Sequence, residues 1–236
     1  MRNTVATILG VSLIVGLVAA ASIAANGFLE ARAMERSVTV KGLSEREYLA
    51  DIVLWPIQYT TASNDLDAIY QEIEASNKKI VAFLLLKGIN EEEISTSAPA
   101  IVDKSAQRYG GGDPGPFRYT ATQTITVYSE AVEDIRLIMS SMAELGQQGI
   151  VLNGDDYNSQ PEYIFTRLNE IKPEMIEEAT VNAREVAMKF AEDSQSTLGK
   201  IKRASQGQFS ISARDRHNPH LKNIRVVSTV EYYLSD

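Results

Sequence analysis

The chain opens with an unbroken apolar run and continues in shorter alternating and helical patterns. No charged residue occurs between Asn3 and Leu29, and residues 5–25 are apolar except for Thr7, Gly10, Ser12, Gly16 and Ser22. At ~1.5 Å per residue such a run crosses a hydrocarbon core of ~30 Å, so the pattern predicts a transmembrane helix. Met1 and Arg2 place positive charge before it, which favours a cytoplasmic N-terminus and export of the remainder. A cleaved signal peptide is the alternative, with Ala19-Ala20-Ala21 as its cleavage site, although the apolar part of such peptides runs to only ~7–15 residues. No Cys follows the run, which excludes a lipoprotein.

Beyond it, residues 37–42 alternate and predict a short strand closed by Gly42. Residues 48–61 predict a longer strand with Asp51, Val53, Trp55, Ile57 and Tyr59 on one face and Ile52 and Leu54 on the other. Pro56 suits an edge or a bulge there, because it cannot donate to a ladder. Leu66, Ile69, Ile73, Ile80, Phe83 and Leu84 recur at helical spacing, so a helix is expected over residues 65–87, with Asn64 as N-cap and Gly88 as stop. Residues 94–107 and 117–129 read as a hairpin with a long connection. Residues 130–145 read as an amphipathic helix, with Val132, Ile135, Met139 and Met142 inward and Gly146 as its end.

Residues 157–168 predict a strand. A helix opened by Pro173 follows, with Ile176, Ala179, Ala183, Val186, Ala187 and Phe190 buried and its end by Gly199. Residues 200–213 and 223–234 form a second hairpin. The order strand, helix, two strands thus occurs twice. The expected fold class is α+β, with mainly antiparallel sheets, helices packed on one face and two β-α-β-β lobes in one domain.

Hydrophobic residues at 44% and charged residues at 23% are ordinary globular values, which sets aside disordered, collagen-like and low-complexity readings. The balance of 23 Lys and Arg against 31 Asp and Glu, a net charge of -8, argues against nucleic acid as a partner. Residues 1–27 hold one Arg and no acid, so the exported part carries -9. An acidic body is not drawn to an anionic lipid surface, and attachment would have to come from the anchor, residues 5–25.

Candidate chemistry is sparse. With no Cys there is neither a thiolate nucleophile nor a zinc-thiolate cluster. His217 and His220, near Asp215, could ligate a metal, but a Pro219-containing loop lacks the register that aims both rings at one ion, and a solvated turn is the simpler reading. Residues 110–115 are glycine-rich, yet no Lys-Ser/Thr follows, so a mobile hairpin tip or inter-subunit contact fits better than a phosphate cradle. Asp155 and Asp156 could act as acid and base or hold Ca²⁺; a turn is the plainer reading. Trp55 reads as core or interface, and Glu91, Glu92 and Glu93 as a solvated turn. No residue is assigned a catalytic, cofactor-binding or metal role.

Several separated blocks carry a resemblance. They are residues 35–47 (Glu-Arg-Ser-Val-Thr-Val-Lys-Gly-Leu-Ser-Glu-Arg-Glu), 51–56, 165–179 (Phe-Thr-Arg-Leu-Asn-Glu-Ile-Lys-Pro-Glu-Met-Ile-Glu-Glu-Ala), 203–209 and 226–234. Together they resemble the SIMPL-domain family of bacterial envelope proteins, and most closely its branch with an N-terminal hydrophobic segment. The resemblance implies an exported α+β protein, a ring-like or channel-like homo-oligomer in some relatives and a link to oxidative-stress tolerance in others. It implies no cofactor and no catalytic residue.

The expected organisation is an anchor or signal segment over residues 1–27, a linker over 28–36 and a SIMPL domain over 37–236. The expected protein is non-enzymatic and self-assembling, held in the inner membrane by a single pass with its C-terminal domain in the periplasm, or soluble there after signal cleavage. It would support envelope integrity or stress tolerance. The alternatives are a periplasmic module binding a small ligand or peptide between the two lobes, and an enzyme using Asp155, Asp156 or the His217/His220 pair.

Overall fold

The computed structural model of the chain describes residues 2–33, 36–106, 116–154 and 159–235. Its elements run α1 (Arg2–Ala33), β1 (Ser37–Leu49), β2 (Ile52–Ser63), α2 (Leu66–Leu86), β3 (Ile94–Thr96), β4 (Ala100–Asp103), β5 (Tyr119–Ser129), α3 (Val132–Met139), α4 (Ala143–Gln147), β6 (Val151–Leu152), β7 (Glu162–Ile164), α5 (Leu168–Asp193), β8 (Thr197–Gln206), β9 (Ser210–Ala213) and β10 (Leu221–Ser235). The class is α+β with antiparallel sheets. One sheet has the order β1-β10-β8, with β9 also on β10, and the other has the order β3-β5-β2-β6, with β4 on β5 and β7 on β2.

The chain forms two compact units, and neither is continuous in sequence. The first comprises residues 1–46, 171–210 and 224–236, and the second comprises residues 47–170 and 211–223. The excess of acid belongs to the second, with 11 basic and 20 acidic residues, whereas the first has 12 basic and 11 acidic.

In the second unit β2 and β5 pair over eleven consecutive positions, from Val53↔Ser129 to Ser63↔Tyr119. The period of two in β2 sends Val53, Trp55, Ile57 and Tyr59 into the core with Ile80, Phe83 and Leu84 of α2. Trp55 is therefore a core residue, 5% exposed. On its other side β2 pairs with β7 at residues 52–54 and with β6 at Tyr59 and Thr60, and Pro56 falls in the unpaired gap between them. A residue without an N–H fits such a local edge inside an otherwise central strand.

The start of α2 lies one residue later than expected. The Asp65 carboxylate accepts from the N–H groups of Asp67 (2.8 Å) and Ala68 (3.0 Å), so it is the N-cap, whereas Asn64 accepts from Arg118 N–H (2.8 Å). The helix expected over residues 130–145 is broken in two. Ser140 Oγ donates to Leu137 O (2.6 Å) and Ser141 Oγ to Ile138 O (2.7 Å), side-chain bonds that compete with the helical ladder. After α4 the left-handed position belongs to Gly149, with φ +85°, and not to Gly146.

In the first unit α5 buries a stripe of Met175, Ala179, Ala183, Ala187 and Ala191. Val186 and Phe190, expected inside, are 42% and 54% exposed. The reason is Gly42, which lies within β1 and does not end it: a Cβ there would overlap the Ala179 carbonyl and the Ala183 N–H, and would lie 2.9 Å from Ala183 Cβ. Backbones this close leave room only for alanines. The same contact is tied by Ser44 Oγ, which donates to Glu178 Oε2 (2.9 Å), and by Arg46, whose Nη2 and Nη1 pair with Glu178 (2.8 Å) and Glu174 (2.7 Å).

Pro173 does not open α5, which begins at Leu168, and Gly199 lies within β8, since α5 ends at Asp193. The strand expected over residues 157–168 is reduced to β7, which pairs with β2 and so does not open a second lobe. That place is taken by β1, from the start of the chain.

In α1, Leu13, Ile14, Val15, Leu17 and Val18 are all more than 60% exposed. Among the described residues no helix is long and apolar enough to cross a membrane. The run over residues 5–25 lies partly outside that description, because side chains before Gly10 are not described.

Candidate functional site

The residues singled out by sequence do not converge. Asp155 and Asp156, and the glycine-rich residues 110–115, lie outside the described residues. Asp215 organises a turn: its Oδ1 accepts from His217 N–H (2.9 Å) and Asn218 N–H (2.9 Å), and its Oδ2 accepts from Arg214 Nε (2.9 Å). The Arg214 guanidinium, then Asn218, holds this carboxyl well below the usual carboxylate range. His217 is exposed.

His220 departs from the solvated-turn reading, since it is 5% exposed and its ring meets Tyr163 edge-on at 5.9 Å. Burial, then the charge of Arg136, pushes its pKa down. Among the described residues no three His, Asp or Glu side chains gather where a metal could bind. Glu91–Glu93 forms a 3-10 turn in which Glu93 Oε2 accepts from Asn90 N–H (2.9 Å).

Three polar arrangements were not legible in the sequence. Asp51 accepts from Thr166 N–H (2.9 Å), Thr166 Oγ1 (3.1 Å) and Arg167 N–H and Nε (3.2 and 3.1 Å), just ahead of α5. Burial raises its pKa, but these donors outweigh burial and the net shift is downward.

Inside the second unit, Tyr59 Oη lies 2.7 Å from Gln123 Oε1 and 2.9 Å from Asn77 Oδ1. These contacts tie α2 to β2 and β5 through the core, and Gln123 Nε2 in turn donates to Ser97 O (2.6 Å), just after β3. Burial pushes the Tyr59 phenol up to about 12. Each of these polar groups has a partner in the core.

The third arrangement is a cleft of about 530 Å³ in the first unit, between α5 and β8, lined by Arg184, Met188, Leu198, Lys200, Ile201 and Tyr232. Tyr232 is 1% exposed and its hydroxyl is buried without a partner. Among the described residues neither Arg184 nor Lys200 has an ion-pair partner. A second cleft, about 370 Å³ in the second unit, is lined by Lys87, Asn90, Glu93 and Asp134. Its polar groups are largely engaged: Lys87 Nζ pairs with Glu144 (2.7 Å) and Glu93 caps Asn90. The α5–β8 cleft is thus the better candidate, and it combines two free cations and an apolar wall.

Beside it, among the described residues, β8 pairs only with β10, and its two faces are exposed over most of its ten residues. The Gly207 N–H donates to Val227 O (2.8 Å), so strand alternation turns the N–H of Ala204 and Gln206 away from β10.

No curated protein matches the chain. The profile of the SIMPL family, described as a protein of unknown function (DUF541), matches residues 38–226. Those residues span β1, α5 and the greater part of both sheets, and the chain belongs to the SIMPL family.

Proposed function

We propose that this chain is a non-enzymatic, membrane-anchored extracytoplasmic protein that self-assembles into a homo-oligomer and supports envelope integrity or stress tolerance. The observation that carries the assembly is β8, a ten-residue strand with one neighbour among the described residues and with exposed faces. An open edge of that length presents unpaired N–H and C=O groups to any second strand. Lys200 and Arg203 make it basic, Lys202 being paired with Glu231 (3.1 Å), so it repels another β8 and attracts an acidic surface such as that of the second unit in another copy. A head-to-tail contact of this kind closes into a ring when its rotation allows.

Anchoring is supported by α1. Leu13, Ile14, Val15, Leu17, Val18 and Ile23 are exposed and together reach every side of the helix, and a helix apolar all round is stable only in a core or in lipid. The positive charge of Arg2 at its start favours a cytoplasmic N-terminus, and with it a SIMPL domain in the periplasm beyond an inner-membrane pass.

Light scattering of the full-length protein in a non-ionic detergent tests this. An oligomer at micromolar concentration is expected, and a monomer there removes the assembly. The second reading, a periplasmic ligand-binding module, is supported by the α5–β8 cleft.

A further inference from the structure

We infer that the cleft between α5 and β8 is a binding site for a small amphipathic anion, a carboxylate on an apolar tail. Arg184 and Met188 stand four residues apart on α5, so they present one cation and one apolar side chain on the same helical face. Lys200 adds a second cation from β8, and Leu198 and Ile201 complete an apolar wall. Ile201 and Met188 remain 42% and 48% exposed, apolar area that an acyl tail would cover.

Two further observations mark the place. Tyr232 lines the cleft while its hydroxyl is buried with no partner, a state that costs free energy. The pairing of β8 with β10 also slips on both sides of Tyr232, between Glu231 and Tyr232 and again before Leu234. Such irregularities re-aim side chains and concentrate next to sites.

Charge and size select the ligand class. Two unpaired cations call for an anion, and a volume of about 530 Å³ with three apolar side chains far exceeds what inorganic phosphate would fill. The first unit is close to neutral, with 12 basic and 11 acidic residues, so an anion is not repelled there as it would be by the second. This inference does not depend on self-assembly.

The test is NMR titration of ¹³C-carboxyl octanoate into the full-length protein in nanodiscs, with 1-octanol and inorganic phosphate as separate arms. Octanoate is expected to bind the natural protein and a Lys78→Gln/Lys189→Gln control alike, and an Arg184→Gln/Lys200→Gln variant at least tenfold more weakly. Octanol and phosphate are each expected to bind at least tenfold more weakly than octanoate. Because Arg184 and Lys200 are exposed, their replacement leaves the core intact. Octanoate binding unchanged in that variant is partition into lipid and overturns the site. Phosphate binding as tightly as octanoate makes it a bare anion contact, and no octanoate binding at millimolar concentration also ends the proposal.

Discussion

Gly42 of β1 is packed so closely on Ala179 of α5 that a β-carbon at residue 42 would overlap the Ala179 carbonyl. The Gly42→Ala substitution cannot be absorbed by a side-chain rotation, because the obstructing atoms are helix backbone. It should cost about 3 kcal/mol, at the upper end of overpacking effects, as read from urea denaturation. Gly146, in α4 with nothing within 4 Å of a built Cβ, is the control: Gly146→Ala should be neutral or add up to about 1 kcal/mol.

Asp51 makes part of the stability depend on pH. Its pKa is lowered on folding, so the contribution of its bonds to Thr166 and Arg167 is fully present above the unfolded value, ~3.9, and fades as pH falls through the folded one. Urea denaturation of the natural protein below about pH 4 should show that loss. Asp51→Asn should cost about 1–3 kcal/mol at neutral pH and lessen the acid dependence, since an amide cannot accept as many bonds.

The Tyr59–Gln123 contact, 2.7 Å in the core, behaves as a unit. Tyr59→Phe strips Gln123 and Asn77 of a partner and should cost about 1–3 kcal/mol. Gln123→Leu removes the same contact while the Tyr59 hydroxyl keeps Asn77 Oδ1 (2.9 Å). A double-mutant cycle should therefore show the pair costing less than the sum of the singles.

Tyr232→Phe should have the opposite sign. The hydroxyl it removes is buried without a partner, so thermal denaturation of the unliganded protein should show no loss and a gain of up to about 1 kcal/mol. A clear loss would mean that the hydroxyl already holds a water.

Ala204 tests the assembly. Its N–H is turned away from β10, so Ala204→Pro removes a donor from the free edge and not from the sheet. Light scattering should show a smaller species with an unchanged far-ultraviolet dichroism spectrum. An oligomer of unaltered mass would move the contact away from β8.

How much was legible depended on whether a periodicity or a backbone approach decided the matter. Ile69, Ile73, Ile80, Phe83 and Leu84 of α2 are buried as their spacing predicts, and so are Val53, Trp55, Ile57 and Tyr59 of β2. Each lies on an element whose one apolar face meets the core. In α5 the same reasoning misplaced Val186 and Phe190, because close packing on β1 admits alanine and turns larger apolar side chains outward. The candidate cleft was invisible: Arg184, Lys200 and Tyr232 form no motif, and only the fold gathers them.

By itself the sequence determined the α+β class, the long elements α2, α5, β2, β5 and β10, the apolar N-terminal run and the family, since these reside in local periodicity and contiguous blocks. The tertiary structure decided which strand partners α5, why Gly42 is glycine, where the acid excess lies and which polar groups meet. Those outcomes depend on contacts between residues far apart in the chain, such as Ser44 with Glu178 and Tyr59 with Gln123, and no local pattern encodes them.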